Sequence, residues 1–243
     1  MGVCVATSTA AALGLACYGI DRNAATLALG TGTLAAILTW RSLGSNPRET
    51  PGSQKSPKWL IWLLAGIFAA FAIRAFSEAL FINNGKLYAT DPYDTPMHLS
   101  YINYFASGVA FWPADCIYSR ESLHYPIGAD LFTSLLAIEG VPVRWCFLAL
   151  GILSSVAIAE TLLKWGGTFT VAGFLFNGGL EGFKYLTGKG LEQISYEVDW
   201  KSIPIFIFCL QRTWLYALPA GLVLLVSWRK RLLKMRKRTS PMD

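Results

Sequence analysis

Apolar residues in this chain come in long blocks rather than in the two-residue alternation of half-buried strands. A helix needs about 20 apolar residues to cross the hydrocarbon of a bilayer. By that measure Val3–Ile20, Ala24–Trp40, Trp59–Ile82, Val143–Leu163, Thr168–Phe183 and Ile203–Trp228 predict an all-α, polytopic helical membrane protein of about six spans. The first two blocks are rich in Ala, Gly and Thr, are only moderately apolar, and are separated by Asp21-Arg22-Asn23. A secretory signal peptide is the competing reading of the first, but it lacks a basic leader and Gly14-Leu15-Ala16-Cys17 is a poor lipidation box. Thr168–Phe183 is short and glycine-rich.

Polar segments between the blocks set an orientation. Residues 41–58 have no apolar periodicity, are rich in Ser, Pro and Gly, and carry Arg41, Arg48, Lys55 and Lys58 against Glu49 alone. They read as a flexible linker that the positive-inside rule places in the cytoplasm, together with the basic tail 229–243. Residues 83–142 then form a large extracytoplasmic loop inside a membrane domain covering 59–228. Two helices are predicted in that loop. Thr95 reads as an N-cap before Pro96, with Met97, Tyr101, Tyr104 and Phe105 on one face and Gly108 as the stop. Pro126 opens the second, with Ile127, Leu131, Leu135 and Ile138 in phase and Gly140 and Pro142 behind them. Both read as amphipathic helices in the outer interface, with Phe111-Trp112-Pro113 as an anchor between them.

Composition narrows the function classes. Of the 243 residues, 53% are hydrophobic and 15% charged, whereas soluble domains carry roughly 25% charge. That deficit excludes intrinsic disorder and most soluble enzymes. The net charge of +6 is concentrated in Arg229–Arg238, which holds seven of the 21 basic residues and leaves 14 basic against 15 acidic elsewhere. The basic tail therefore suits anionic lipid headgroups, and no nucleic-acid surface is expected. Cys4, Cys17, Cys146 and Cys209 lie in apolar runs, only Cys116 lies in a polar loop, and no CxxC spacing is present.

Polar chemistry is concentrated in the loop, which holds Asp91, Asp94, Asp115, Asp130 and both histidines, His98 and His124. On a helix starting near Thr95, Asp94 and His98 are one turn apart. A carboxylate beside an imidazole at a water–lipid boundary can accept a proton from a sugar hydroxyl. Helix capping by Asp94 is the alternative role. Oxygen and imidazole ligands from Asp91, Asp94, His98 and His124 also suit Mn or Zn, although the spacing matches no metal signature; neither a metal nor any other cofactor is predicted. Inside the apolar runs, Arg74 with Glu78 and Glu160 with Lys164 are spaced to pair with each other. Arg212 has no carboxylate three or four residues away, so it either snorkels to headgroups or meets a lipid-carrier phosphate.

One family resemblance gathers these residues. The stretch Asp91-Pro92-Tyr93-Asp94-Thr95-Pro96-Met97-His98-Leu99-Ser100, continuing through Tyr101, Gly108, Trp112-Pro113 and His124-Tyr125-Pro126-Ile127-Gly128-Ala129-Asp130, resembles the first large extracytoplasmic loop of the C-type integral-membrane glycosyltransferases. More closely it is similar to bacterial membrane proteins of that superfamily without an assigned substrate. Asn177-Gly178-Gly179 and Gln211-Arg212 are similar to the same group, over roughly Trp59 to Trp228. The resemblance implies an enzyme that takes sugar from a polyprenyl-phosphate donor on the outer face of the cell membrane. It implies Asp94 as general base, with Asp91 as alternate and His98 orienting it. It also implies His124, Tyr125 and Asp130 at the sugar and Arg212, beside Gln211, at the donor phosphate. Such enzymes have more spans, so the chain is similar to their N-terminal half, and a partner subunit supplying further spans is one expectation. The alternative is a non-catalytic scaffold or subunit of a cell-envelope complex.

Overall fold

The computed structural model describes residues 2–15, 19–43, 56–89, 94–118, 121–188, 202–210 and 213–239. Helices dominate: α1 Gly2–Leu15, α2 Arg22–Leu43, α3 Lys58–Glu78, α4 Asp94–Ala106, α5 Gly128–Ile138, α6 Val143–Phe176 and α7 Trp214–Thr239. A 3-10 helix spans Glu181–Thr187, and a short α turn, Ile203–Ile205, runs into a π segment, Phe206–Leu210. The chain is mostly helical, as its apolar blocks predict.

Span number differs from the expected six. Among the described residues, only α3 with 21 residues and α6 with 34 are both long and apolar enough to cross a membrane. α1 has 14 residues, or roughly 21 Å at 1.5 Å per residue, short of the hydrocarbon thickness. α2 has 22 residues, but Arg22, Asn23, Arg41 and its Thr and Gly residues dilute its apolarity. The block Thr168–Phe183 is not one helix: α6 stops at Phe176, and Gly178 and Gly179 follow with φ of 84° and 79°. Those are left-handed values that glycine adopts without steric cost. Ile203–Trp228 is likewise divided, ending its π segment at Leu210 and resuming helix at Trp214. The third block stops early as well. α3 ends at Glu78, and Leu80–Asn83 pairs antiparallel with Lys86–Ala89 in a two-stranded hairpin. Its turn is Asn84-Gly85, both at positive φ, the pairing that a two-residue hairpin loop demands.

Two apolar cores organise the helices. One lies among α3, α6, α7 and the segment 203–210, where Phe68, Phe76, Phe174 and Phe208 meet ring to ring. Within it, α6 breaks at Gly166 and Gly167, so its second limb turns back and brings Phe174 to Phe68 of α3. The other core joins α1, α2, α4 and α5 through Ala12, Ala28, Tyr101, Phe105, Leu131 and Leu135. α5 is therefore no interfacial helix. Its six consecutive residues Asp130–Leu135 are all buried, because α4, the α1–α2 hairpin and α6 each cover part of its circumference. The predicted phase of α4 holds more nearly, with Tyr101 and Phe105 buried and Met97 and Tyr104 half-buried, but His98 and Ile102 are buried with them.

The bundle has two chemically distinct ends. At one, Ser56 at the start of α3 bonds Thr168 after the α6 break, Oγ to Oγ1 at 2.6 Å, and Arg229 of α7 donates to the Trp165 carbonyl at 2.9 Å. At the other, Phe76 of α3 packs on Gly151 of α6, below the polar residues of α4 and α5. A Cβ on Gly151 would stand 2.2 Å from the Phe76 ring, which is buried, whereas a Cβ on Gly66 of α3 meets nothing within 4 Å. Replacing glycine by alanine in a helix ordinarily gains roughly 0.5–1 kcal/mol. Gly66→Ala is expected to be neutral or stabilising and Gly151→Ala to cost on the order of 1–3 kcal/mol from overpacking. Thermal unfolding of the two variants in the same detergent checks this difference in sign.

Candidate functional site

α4 and α5 assemble the polar cluster. On α4 the spacing 94, 98, 101 and 105 follows one helical face, which carries Asp94, His98, Tyr101 and Phe105. On α5, Asp130 lies in the first turn, where the helix dipole favours a carboxylate. Packing of Phe105 and Tyr101 against Leu131 and Leu135 in one core sets the two faces together. His98 then meets Asp130: Nδ1 is 2.9 Å from each carboxylate oxygen, and the two residues are 1% and 4% exposed. A carboxylate only accepts, so Nδ1–H donates to Asp130, and in the neutral ring Nε2 carries the lone pair.

Aromatic rings continue the cluster. His98 stands edge-on to Tyr125 with ring centroids 6.0 Å apart, and Tyr125 stacks on Tyr101 at 5.2 Å. The Tyr101 hydroxyl donates to Asp115, 3.1 Å to Oδ2. Asp115 also accepts from the backbone N–H of Ile117 at 2.8 Å and of Tyr118 at 3.2 Å, closing the loop on its own carboxylate as Asp does in turns. Those backbone donors, ahead of the Tyr101 hydroxyl, hold the Asp115 carboxyl below the usual carboxylate range despite its burial. Burial and the Asp115 carboxylate push the Tyr101 phenol up. Burial first, then the charges of Asp130 and Asp94, push Tyr125 up to about 12. Asp94, at the start of α4 and half-buried, is thus electrostatically part of the cluster.

The His98 imidazole bonds Asp130, 32 residues away on α5. Tyr125 and Asp130 join His98 and Asp94, whereas His124 is exposed in the loop before α5. Asp91, Gln211 and Arg212 lie outside the described residues. Among the described residues no three His, Cys, Asp or Glu side chains converge as metal ligands would. The predicted Arg74–Glu78 pair forms at 3.2 Å, with the Arg74 guanidinium over the Tyr185 ring, 4.8 Å from its centroid. Glu160 and Lys164 pair as well. Tyr101 and Asp115 had no assigned role in the sequence. Asp115-Cys116-Ile117 after a proline was a turn signature that could have marked Asp115. A small cavity of about 30 Å³ opens on the other side of Asp130, lined by Thr133, Cys146, Gly151 and Tyr216.

No protein-family model, no curated protein and no solved structure matches the chain.

Two stability predictions follow from the cluster's burial. His98→Leu removes a charge-assisted donor from a buried carboxylate and should cost on the order of 3 kcal/mol. Adding Asp130→Leu should recover most of that loss, and a double-mutant cycle by thermal unfolding reads the coupling. The tyrosines give a pH dependence. Their folded-state pKa lies above the ordinary value of 10.0, so their contribution is complete below pH 10. It is lost as the unfolded phenols ionise while the folded ones keep their protons. Unfolding midpoints should therefore fall from about pH 10 towards pH 12, and Tyr125→Phe should flatten part of that slope.

Proposed function

We propose that the chain is an integral membrane protein similar to the C-type glycosyltransferases, and that the α4–α5 cluster is its site for a polyprenyl-phosphate sugar on the outer face. The observation that carries this reading is the His98–Asp130 pair, buried beside Asp94 and a stack of tyrosines at one end of the two most apolar helices. Asp94 acts as the base that takes the proton from an acceptor hydroxyl. Asp130 fixes the tautomer and orientation of His98, whose Nε2 then faces the reacting groups as an acceptor. Tyr125, half-buried and backed by the buried Tyr101 ring, offers an aromatic face to the sugar. A polyprenyl phosphate is a good leaving group and needs little beyond a base and a cation near its phosphate. Arg212 takes that second role.

The topology goes with this assignment. α3 and the first limb of α6 cross the bilayer, the second limb of α6 turns back through it, and α7 crosses again to carry the basic tail to the side of residues 41–58. Basic residues at 41–58 and 229–243 place one end in the cytoplasm. The contacts of Ser56 with Thr168 and of Arg229 with Trp165 support a shared end for those segments. Residues 83–142 are then extracytoplasmic.

Membrane vesicles carrying the full chain, a polyprenyl-phosphate sugar and a hydroxyl acceptor provide the test. Asp94→Asn should abolish transfer, by at least a hundredfold for the loss of a general base, with insertion unchanged. Asp130→Asn should lower the rate and shift its pH profile, since it acts through His98. Transfer equal to wild type in Asp94→Asn would remove that carboxylate from the mechanism. An absence of transfer in the wild type, with or without partner subunits, would favour the scaffold reading.

A further inference from the structure

Along one flank of the bundle, from Trp214 to the Trp165–Arg229 contact, the structure carries a second feature that the transferase reading does not use. The second limb of α6, the segment 203–210 and α7 border an apolar groove of about 800 Å³. Trp165, Phe169, Phe174, Phe206, Trp214 and Leu218 are among its walls, and Phe169 is 86% exposed. The groove exists because α6 breaks. Gly166 and Gly167 leave helical geometry, with φ of −145° and 68°, and the limb that follows turns back to bring Phe174 to Phe68 of α3.

One cation closes the groove. Arg229 lines it, donates from Nη1 to the Trp165 carbonyl at 2.9 Å, and lies 5.9 Å from the Trp165 ring centroid. It forms no ion pair among the described residues. A guanidinium has five N–H donors in a fork that matches phosphate, so one bond to a carbonyl leaves most of its donors for an anion. Trp214 and Arg229 lie fifteen residues apart on α7, which is about 22 Å along a helix. Half of the ~30 Å hydrocarbon core is roughly 15 Å. A single extended lipid chain therefore fits between the Trp214 end and Arg229, with its phosphate at the guanidinium.

We propose that this groove binds one anionic glycerophospholipid, an acyl chain along Phe169, Phe174 and Leu218 and the phosphate on Arg229. The basic residues that follow Arg229 in α7 supply the field that selects a net negative headgroup over a zwitterionic one. A second copy of the chain does not satisfy the same site, because copies inserted in one membrane share an orientation and would bring another basic tail to the same level. The inference rests on the membrane reading of α3 and α6 and is independent of the transferase reading.

The test uses the full chain in phosphatidylcholine vesicles doped with phosphatidylglycerol bearing a photoactivatable group on its acyl chain. A phosphatidylcholine probe with the same chain is the comparison, and vesicle flotation reports insertion separately. Label from the anionic probe should map to peptides containing Phe169 to Phe174 and Trp214 to Leu218, several-fold above the zwitterionic probe. Arg229→Gln should bring the two probes level. Gly173 lines the groove, and a Cβ there meets nothing within 4 Å. Gly173→Leu therefore adds bulk at the groove wall from a position with open space at its Cβ, and should lower labelling of these peptides several-fold by either probe. Equal labelling of the wild type by both probes would overturn the proposal, as would labelling confined to other peptides or unchanged in Gly173→Leu. A chain that does not float with vesicles would overturn the membrane reading itself.

Discussion

Close approach of α3 and α6 at Gly151 is the constraint on which the site depends. A helix contact closes most tightly where a small residue removes the side chain that would hold the backbones apart. Phe76 occupies the space that any Cβ at position 151 would fill, so its ring seats directly on the α6 backbone where the two long helices meet. α6 follows α5 after only Glu139-Gly140-Val141-Pro142, and Gly140 at φ 93° makes that reversal. Fixing the start of α6 therefore fixes α5, and with it Asp130, whose small cavity shares Phe76 and Gly151 as walls.

The polar cluster is held from two directions that do not share a helix. α5 brings Asp130 from the side of the α3–α6 contact, while α4 brings His98, Tyr101 and Asp94 from the hairpin side. Their union buries an imidazole and a carboxylate that would be costly apart, so the shape of the apolar core and the state of the dyad are coupled. Asp115 anchors the other edge through backbone donors and the Tyr101 hydroxyl. The outcome is an oriented imidazole with Asp94 linked to the same cluster through its charge on Tyr125.

Glycine acts in opposite ways along α6. At Gly151 the missing side chain lets two helices close; at Gly166 and Gly167 the missing side chains let one helix break and open a groove beside α7. Gly151 lies inside the predicted block Val143–Leu163, whereas Gly166 and Gly167 fall between that block and Thr168–Phe183. Hydropathy does not tell a glycine that seats a helix from one that bends it, because it counts side-chain polarity and is blind to φ. The same blindness extended the third block to Ile82, although Asn84-Gly85 is a strong two-residue hairpin turn and the residues before it are good strand formers.

Composition and periodicity by themselves determined the helical class, the apolar character of α3 and α6, the phases of α4 and α5 and the concentration of Asp and His between 83 and 142. These are local properties: each follows from which residues recur within a few turns. Tertiary structure alone decided that His98 meets Asp130, that α5 is buried over six consecutive residues, and that Tyr101 and Asp115 belong to the cluster. A residue four positions away lies on the same helical face, but a side chain pairs with whatever the packing of another helix brings within about 3 Å. No spacing within α4 encodes the position of α5. The apolar contacts of Phe105, Leu131 and Leu135, and beneath them the glycine seat of α6 on α3, set it.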